Sequence, residues 1–146
     1  MSNLRLPFVR IDGDLFGTLD ATFHSRMGGS SDTRKLGYQT WVVSERDTVA
    51  LRHHGTDIVS VNREDDTTDK VTLNASGYRS PTTANRMRML FDAAGIPASV
   101  SIRDGDYTLY LDGRSYPYRD GMSFSIVYSR DGHASPVAVR YPNSRF

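Results

Sequence analysis

The chain has 146 residues, enough for one domain with its own core, and its aliphatic and aromatic residues are too plentiful for whole-chain disorder. The absence of cysteine excludes disulfide staples, thiolate catalysis and cysteine-ligated zinc. A formal net charge of +1 excludes a global field that would pull the chain onto nucleic acid.

The positive charge is carried by sixteen arginines and only two lysines, Lys35 and Lys70. Arginine's planar fork suits phosphate and carboxylate, although a GC-rich genome would also scatter arginine along a chain. No apolar run approaches the roughly 20 residues that span a bilayer, and residues 1–5 lack the apolar stretch of a signal peptide. The expectation is a soluble protein of the cytoplasm.

Residues 1–35 read as an N-terminal unit of short strands and a loop, and residues 36–146 as a single α+β domain. Residues 8–11 form a candidate strand closed by the turn Asp12-Gly13, with residues 15–19 as its partner. Residues 25–35 hold Gly28-Gly29-Ser30-Ser31 and few apolar anchors, so they read as a loop. From Leu36 a meander begins. Residues 38–43 are rich in aromatic and β-branched types, 48–53 return, and 57–61 run out again. Residues 63–69 carry five charges and read as a solvated hairpin tip, before a fourth strand at 71–73.

A helix over about residues 81–94 follows. Ser80 is placed to cap it, Pro81 suits its first position, and Met87, Leu90, Phe91 and Ala94 fall on one apolar stripe. Gly95 is the expected left-handed terminator. Hairpins resume around Asp104-Gly105, and Met122, Phe124 and Ile126 alternate as in a half-buried strand. The fold class expected is α+β: antiparallel meander and hairpins with one amphipathic helix packed on the sheet.

Three stretches occur in order: Gln39-Thr40-Trp41, then Arg52-His53-His54-Gly55-Thr56-Asp57-Ile58, then residues 72–87 from Thr72-Leu73-Asn74 to Arg86-Met87. Together they resemble a family of short bacteriophage proteins. The family pattern runs Asn-Thr-aromatic, Arg-x-His-x-Thr-Asp-Ile/Val, and Thr-Leu-Asn-Ser-Gly-Gly-Trp-Arg-Thr-x-Thr-Thr-Lys-x-Arg-Met/Ile-Asn. The resemblance covers about residues 36–91. It departs at Gly77 (one glycine for two), Tyr78 (for tryptophan), Ala84 (for lysine) and Arg88 (for asparagine). It implies a phage origin and carries no mechanism with it.

The leading candidate site is the helix start. The first turn of a helix has unpaired N–H groups and about half a positive charge, so phosphate or carboxylate binds there. Thr82 and Thr83 add hydroxyls, Arg79 precedes the helix, Arg86 lies one to two turns in, and Tyr78 could stack on a base. The competing reading is that Ser80 and the threonines only cap, while Arg86 and Arg88 face water. Arg86 and Arg88 do not share a face, so at most one joins Arg79.

Other constellations read as structural. His53 and His54 point to opposite faces of a strand, and a zinc set would also need His24 or His133. A His–Asp pair with Asp57 could serve hydrolysis, but no serine stands in a nucleophile turn. Asp65, Asp66 and Asp69 lack calcium-loop spacing. Tyrosines 107, 110, 116, 118, 128 and 141, interleaved with arginines, fit either core or an interface. No metal or cofactor is expected. The function expected first is a non-enzymatic phage accessory protein that binds nucleic acid or another phosphate-bearing ligand, in the host cytoplasm or the virion. The alternatives are a module binding a host or virion protein, and a small His/Asp hydrolase.

Overall fold

The computed structural model describes residues 6–27, 31–77 and 79–142. One antiparallel sheet holds β1 (Thr33–Gly37), β2 (Thr40–Glu45), β3 (Thr48–His53), β4 (Thr56–Asp65) and β5 (Thr68–Leu73) as a meander. It is extended by β9 (Ser123–Tyr128) beside β5 and by β10 (Ala134–Arg140) at the edge. A second sheet is the meander β6 (Ala98–Arg103), β7 (Asp106–Leu111) and β8 (Arg114–Pro117). Helices α1 (Leu15–Ser25) and α2 (Pro81–Ala93) complete the architecture, which is α+β but dominated by strands.

Period-two patterning sets the register. Val71 on β5 faces Val61 on β4 and Phe124 on β9, and all three side chains are buried. Two-residue turns at Asp104-Gly105 and Asp112-Gly113 have φ of 52° and 80°, and 50° and 84°, as paired left-handed turn residues require. Helix α2 matches its expected signals. The Ser80 side chain accepts from the Thr83 N–H at 3.1 Å, and Pro81 is the first helical residue. Gly95 has φ 64°, with Gly95 N–H donating to Asp92 and Ile96 N–H to Phe91, which closes the last turn as a Schellman motif. Met87, Leu90, Phe91 and Ala94 are fully buried in one cluster, which also takes in α1 and both sheets.

Four expectations need correction. Residues 15–19 are not a strand but the start of α1, so the fold has two helices, not one. Asp14 caps α1 by accepting from Gly17 N–H at 2.8 Å, and a Cβ at Gly17 would collide with that carboxylate. Leu15, Leu19 and Phe23 form its buried stripe. Residues 8–11 do not pair with a strand. Instead Val9 N–H donates to the Thr22 hydroxyl at 2.8 Å, and Ile11 N–H to the Thr18 hydroxyl at 3.1 Å. The segment read as a loop over 25–35 contains β1 from Thr33 onward.

The fourth correction concerns the charged run at 63–69. Its turn is solvated, but Asp69 is completely buried. Asp69 shares a face of β5 with Val71 and Leu73, so its carboxylate points inward, where it accepts from Arg63 Nε at 2.9 Å and the Tyr128 hydroxyl at 2.6 Å. Arg63 also donates to Asp14 at 2.6 Å, so the cap of α1 and the inner face of the sheet share one guanidinium.

Candidate anion site beside helix α2

A cleft of about 1320 Å³ runs along the exposed flank of α2. One wall is the helix stripe Thr82, Asn85, Arg86, Met89 and Asp92, residues three and four apart. The other comprises the segment around Leu6, Phe8 and Arg10, together with Tyr38 and the pair His53-His54 from two neighbouring hairpin ends. Those ends are tied by His54 N–H donating to Gln39 O at 2.8 Å, and both Gln39 (φ 51°) and His54 (φ 56°) are left-handed.

Arg86 is the centre of the cleft. It is only 5% exposed, and its Nε donates to the Thr40 hydroxyl at 2.8 Å. Among the described residues its two terminal nitrogens make no hydrogen bond and no carboxylate pairs with it, although neither nitrogen is sealed from solvent. Burial accordingly lowers its pKa from the ordinary value. The other cleft arginines are engaged: Arg10 with Asp92 at 3.6 Å, Arg88 with Val100 O at 2.8 Å and Asn85 Oδ1 at 3.2 Å.

Thr40 joins this guanidinium to His53. Its hydroxyl donates to Tyr38 O at 2.8 Å and lies 3.3 Å from His53 Nδ1, which is itself 3.1 Å from Gln39 O. A carbonyl at that distance assigns the proton to Nδ1, leaving Nε2 as the unprotonated nitrogen. Burial first, and the charge on Arg86 second, hold His53 below its ordinary 6.5. The unfolded chain therefore takes up a proton near pH 6.5 that the folded chain refuses. Native stability is complete above that pH and declines as pH falls below it. His53→Gln is expected to flatten the decline below pH 6.5, measured by urea unfolding. Asp65, Asp120 and Asp131, held below 3.8, titrate at lower pH. An unchanged slope would place the proton uptake elsewhere.

The residues expected at the helix start are divided by the structure. Thr82 is exposed and lines the cleft with Arg86. Thr83 is buried, its hydroxyl accepting from Ser80 Oγ at 3.1 Å within the cap. Arg79 faces away from the cleft, its guanidinium 5.1 Å from the Tyr118 ring centre and its Nε buried without a hydrogen bond. Beside it, burial would raise the Asp120 carboxyl, but hydrogen bonds from Tyr118 and the N–H groups of Ala75 and Gly77, with the Arg79 charge, hold it low. Tyr78 lies outside the described residues.

The His–Asp pairing is not formed. Asp57 is engaged by Arg52 at 2.7 Å, and no hydrogen bond joins either histidine of the pair to it. Ser129, Asp131 and His133 meet in an exposed turn, but the aspartate stands between the other two, the wrong order for a base acting on a serine. Among the described residues no group of His, Asp and Glu is arranged to hold a metal. Tyr107 and Tyr118 are core, whereas Tyr110 is exposed.

Sequence reasoning missed Tyr38, Thr40 and Asn85 as parts of the site. A signal existed: Thr40, His53 and Arg86 come one from each of the three stretches that carry the phage resemblance, and they meet at one hydroxyl. The class so defined is a strand-dominated α+β domain with a buried arginine opening into a surface cleft. Residues 28–125, more than half of the chain, match the Kyanoviridae Gp96 protein family, and the chain belongs to that bacteriophage family. No curated protein and no solved structure matches it. Among the described residues no helix is long and apolar enough to cross a membrane.

Proposed function

We propose that this chain is a non-enzymatic phage accessory protein that binds a phosphate-bearing ligand, nucleic acid among the candidates, through Arg86 in the cleft beside α2. The carrying observation is an arginine only 5% exposed whose guanidinium has no carboxylate partner among the described residues. Taking such a cation out of water costs several kcal/mol unless a counter-charge is supplied, and a bound phosphate supplies it. The fork is well suited: with Nε held by Thr40, the two terminal nitrogens can present parallel donors to two phosphate oxygens. Thr82 adds a hydroxyl at the cleft rim. The host cytoplasm and the virion are both consistent places of action for a member of this family.

Titration with inorganic pyrophosphate at low ionic strength, followed on the arginine Nε–H resonances, tests the proposal. The expected result is saturable binding that moves Arg86 and weakens with salt. Arg79→Ala is expected to leave that affinity unchanged and to lower stability by about 0.5–1 kcal/mol, the value of a cation–π contact. Binding that moved Arg79 and left Arg86 still would transfer the site to the other side of α2.

The protein-binding reading has one observation in its favour, the exposed Val127 and Val137 on the outer face of β9 and β10. The edge itself is blunted against strand addition. Pro136 has no N–H to donate, and the register breaks between Val137 and Arg140, with Ala138 left-handed at φ 56°.

A further inference from the structure

We infer that the cleft takes a compact nucleotide, one terminal phosphate and one base, rather than a run of nucleic-acid strand. This rests on the reading that Arg86 receives phosphate, and adds what else the cleft contains. Charge comes first. Among the described residues the lining has three arginines against one aspartate, with His53 held towards neutrality, so these carry an excess of about two positive charges. A phosphate monoester carries about −1.5 to −2 at neutral pH and matches that excess at one point.

A strand needs a track of cations along its backbone. Among the described residues no such track lies near the cleft, because Arg10, Arg52 and Arg88 already have protein partners. Of the described cleft arginines, Arg86 alone has both terminal nitrogens uncommitted, which fits a single phosphate.

The second observation is the surface next to Arg86. Tyr38, on the turn before Thr40, is 71% exposed and lines the same cleft as Phe8 and Met89. An exposed aromatic ring beside a buried cation matches a ligand with a planar, apolar body attached to phosphate. Asn85 supplies orientation. Its Oδ1 accepts from Arg88 at 3.2 Å, which turns the amide so that Nδ2 is the donor left for the cleft. The volume of about 1320 Å³ accommodates a mononucleotide without requiring the helix to move.

The test is calorimetric titration of the full chain and of Tyr38→Ala with three kinds of probe. These are the four nucleoside 5′-monophosphates, inorganic phosphate, and an oligothymidylate of about ten residues without a terminal phosphate, a length within strand-binding site sizes. The expected result is that at least one monophosphate binds tenfold or more tightly than inorganic phosphate. Tyr38→Ala should lower that affinity by roughly 5- to 150-fold, the range for one base–aromatic stack, and leave inorganic phosphate unaffected. Tyr38 is exposed, so the variant should fold, and its unfolding curve checks this.

Equal affinity for monophosphates and inorganic phosphate, with Tyr38→Ala silent, would overturn the nucleotide and leave the phosphate site standing. Tighter binding of the oligothymidylate with a steep salt dependence would overturn it in favour of a strand. Failure of every phosphate-bearing probe would remove the site itself.

Discussion

Asp69→Ala is expected to lower the unfolding free energy by about 3–5 kcal/mol, a large share of the 5–15 kcal/mol available to a typical domain. The carboxylate is completely buried and has four donors: Arg63 Nε at 2.9 Å, Arg63 Nη2 at 3.2 Å, the Tyr128 hydroxyl at 2.6 Å and Phe16 N–H at 3.3 Å. Removing it leaves a mostly buried guanidinium with only Asp14, and leaves the first turn of α1 without an acceptor for Phe16. Burial opposes the charge on Arg63, but its hydrogen bonds to Asp69 and Asp14 outweigh that and raise its pKa, which shows how closely it depends on both. Urea unfolding gives the size of the loss. Hydrogen exchange at the α1 amides tests the route, since opening there should precede global unfolding. Asp69→Leu combined with Arg63→Met should recover much of the stability, because both charges then leave the interior together. A loss below about 1 kcal/mol for Asp69→Ala would mean that Arg63 relaxes to water and that the network does not fasten α1.

Helix α2 was legible because every local signal agreed: cap, proline, apolar stripe and glycine stop all act within the sixteen residues from Ser80 to Gly95. The same logic applied to α1 was hidden. Gly17, Thr18 and Thr22 have poor helix propensity, and they are present for tertiary reasons. Gly17 makes room for the cap carboxylate, while the two threonine hydroxyls stand in for a strand partner to residues 8–11. Propensity describes a chain in isolation and cannot register such contacts. Asp69 was obscured similarly, since its neighbours in sequence are solvated and only the inward register of β5 separates it from them. At the candidate site, Arg86 and Thr82 could be picked out as a helix-start cation and hydroxyl. What could not be read was which side of α2 each arginine faces. That depends on Thr40, 46 residues earlier, reaching Arg86, and on Tyr118 lying under Arg79.

Arg86→Met separates function from stability at the candidate site. Most core substitutions destabilise by about 0.5–3 kcal/mol, but this one is expected to raise stability by about 1 kcal/mol or more. Methionine follows the path of the arginine stem and fills the same space without charge. The lost bond is tolerable, because the Thr40 hydroxyl keeps its donation to Tyr38 O. Pyrophosphate affinity should fall by about 1.5–3 kcal/mol, roughly ten- to a hundredfold, as a charge-assisted hydrogen bond is removed. A third readout ties the two together. With the positive charge gone, the His53 pKa should rise towards 6.5, since Arg86 is the second cause of its depression. An imidazole NMR titration detects that shift directly. Loss of stability with no change in His53 would make the guanidinium a packing element, and the cleft would lose its claim on a phosphate. Gain of stability with loss of affinity is the pattern of a residue kept, at a cost to the fold, for the ligand it meets.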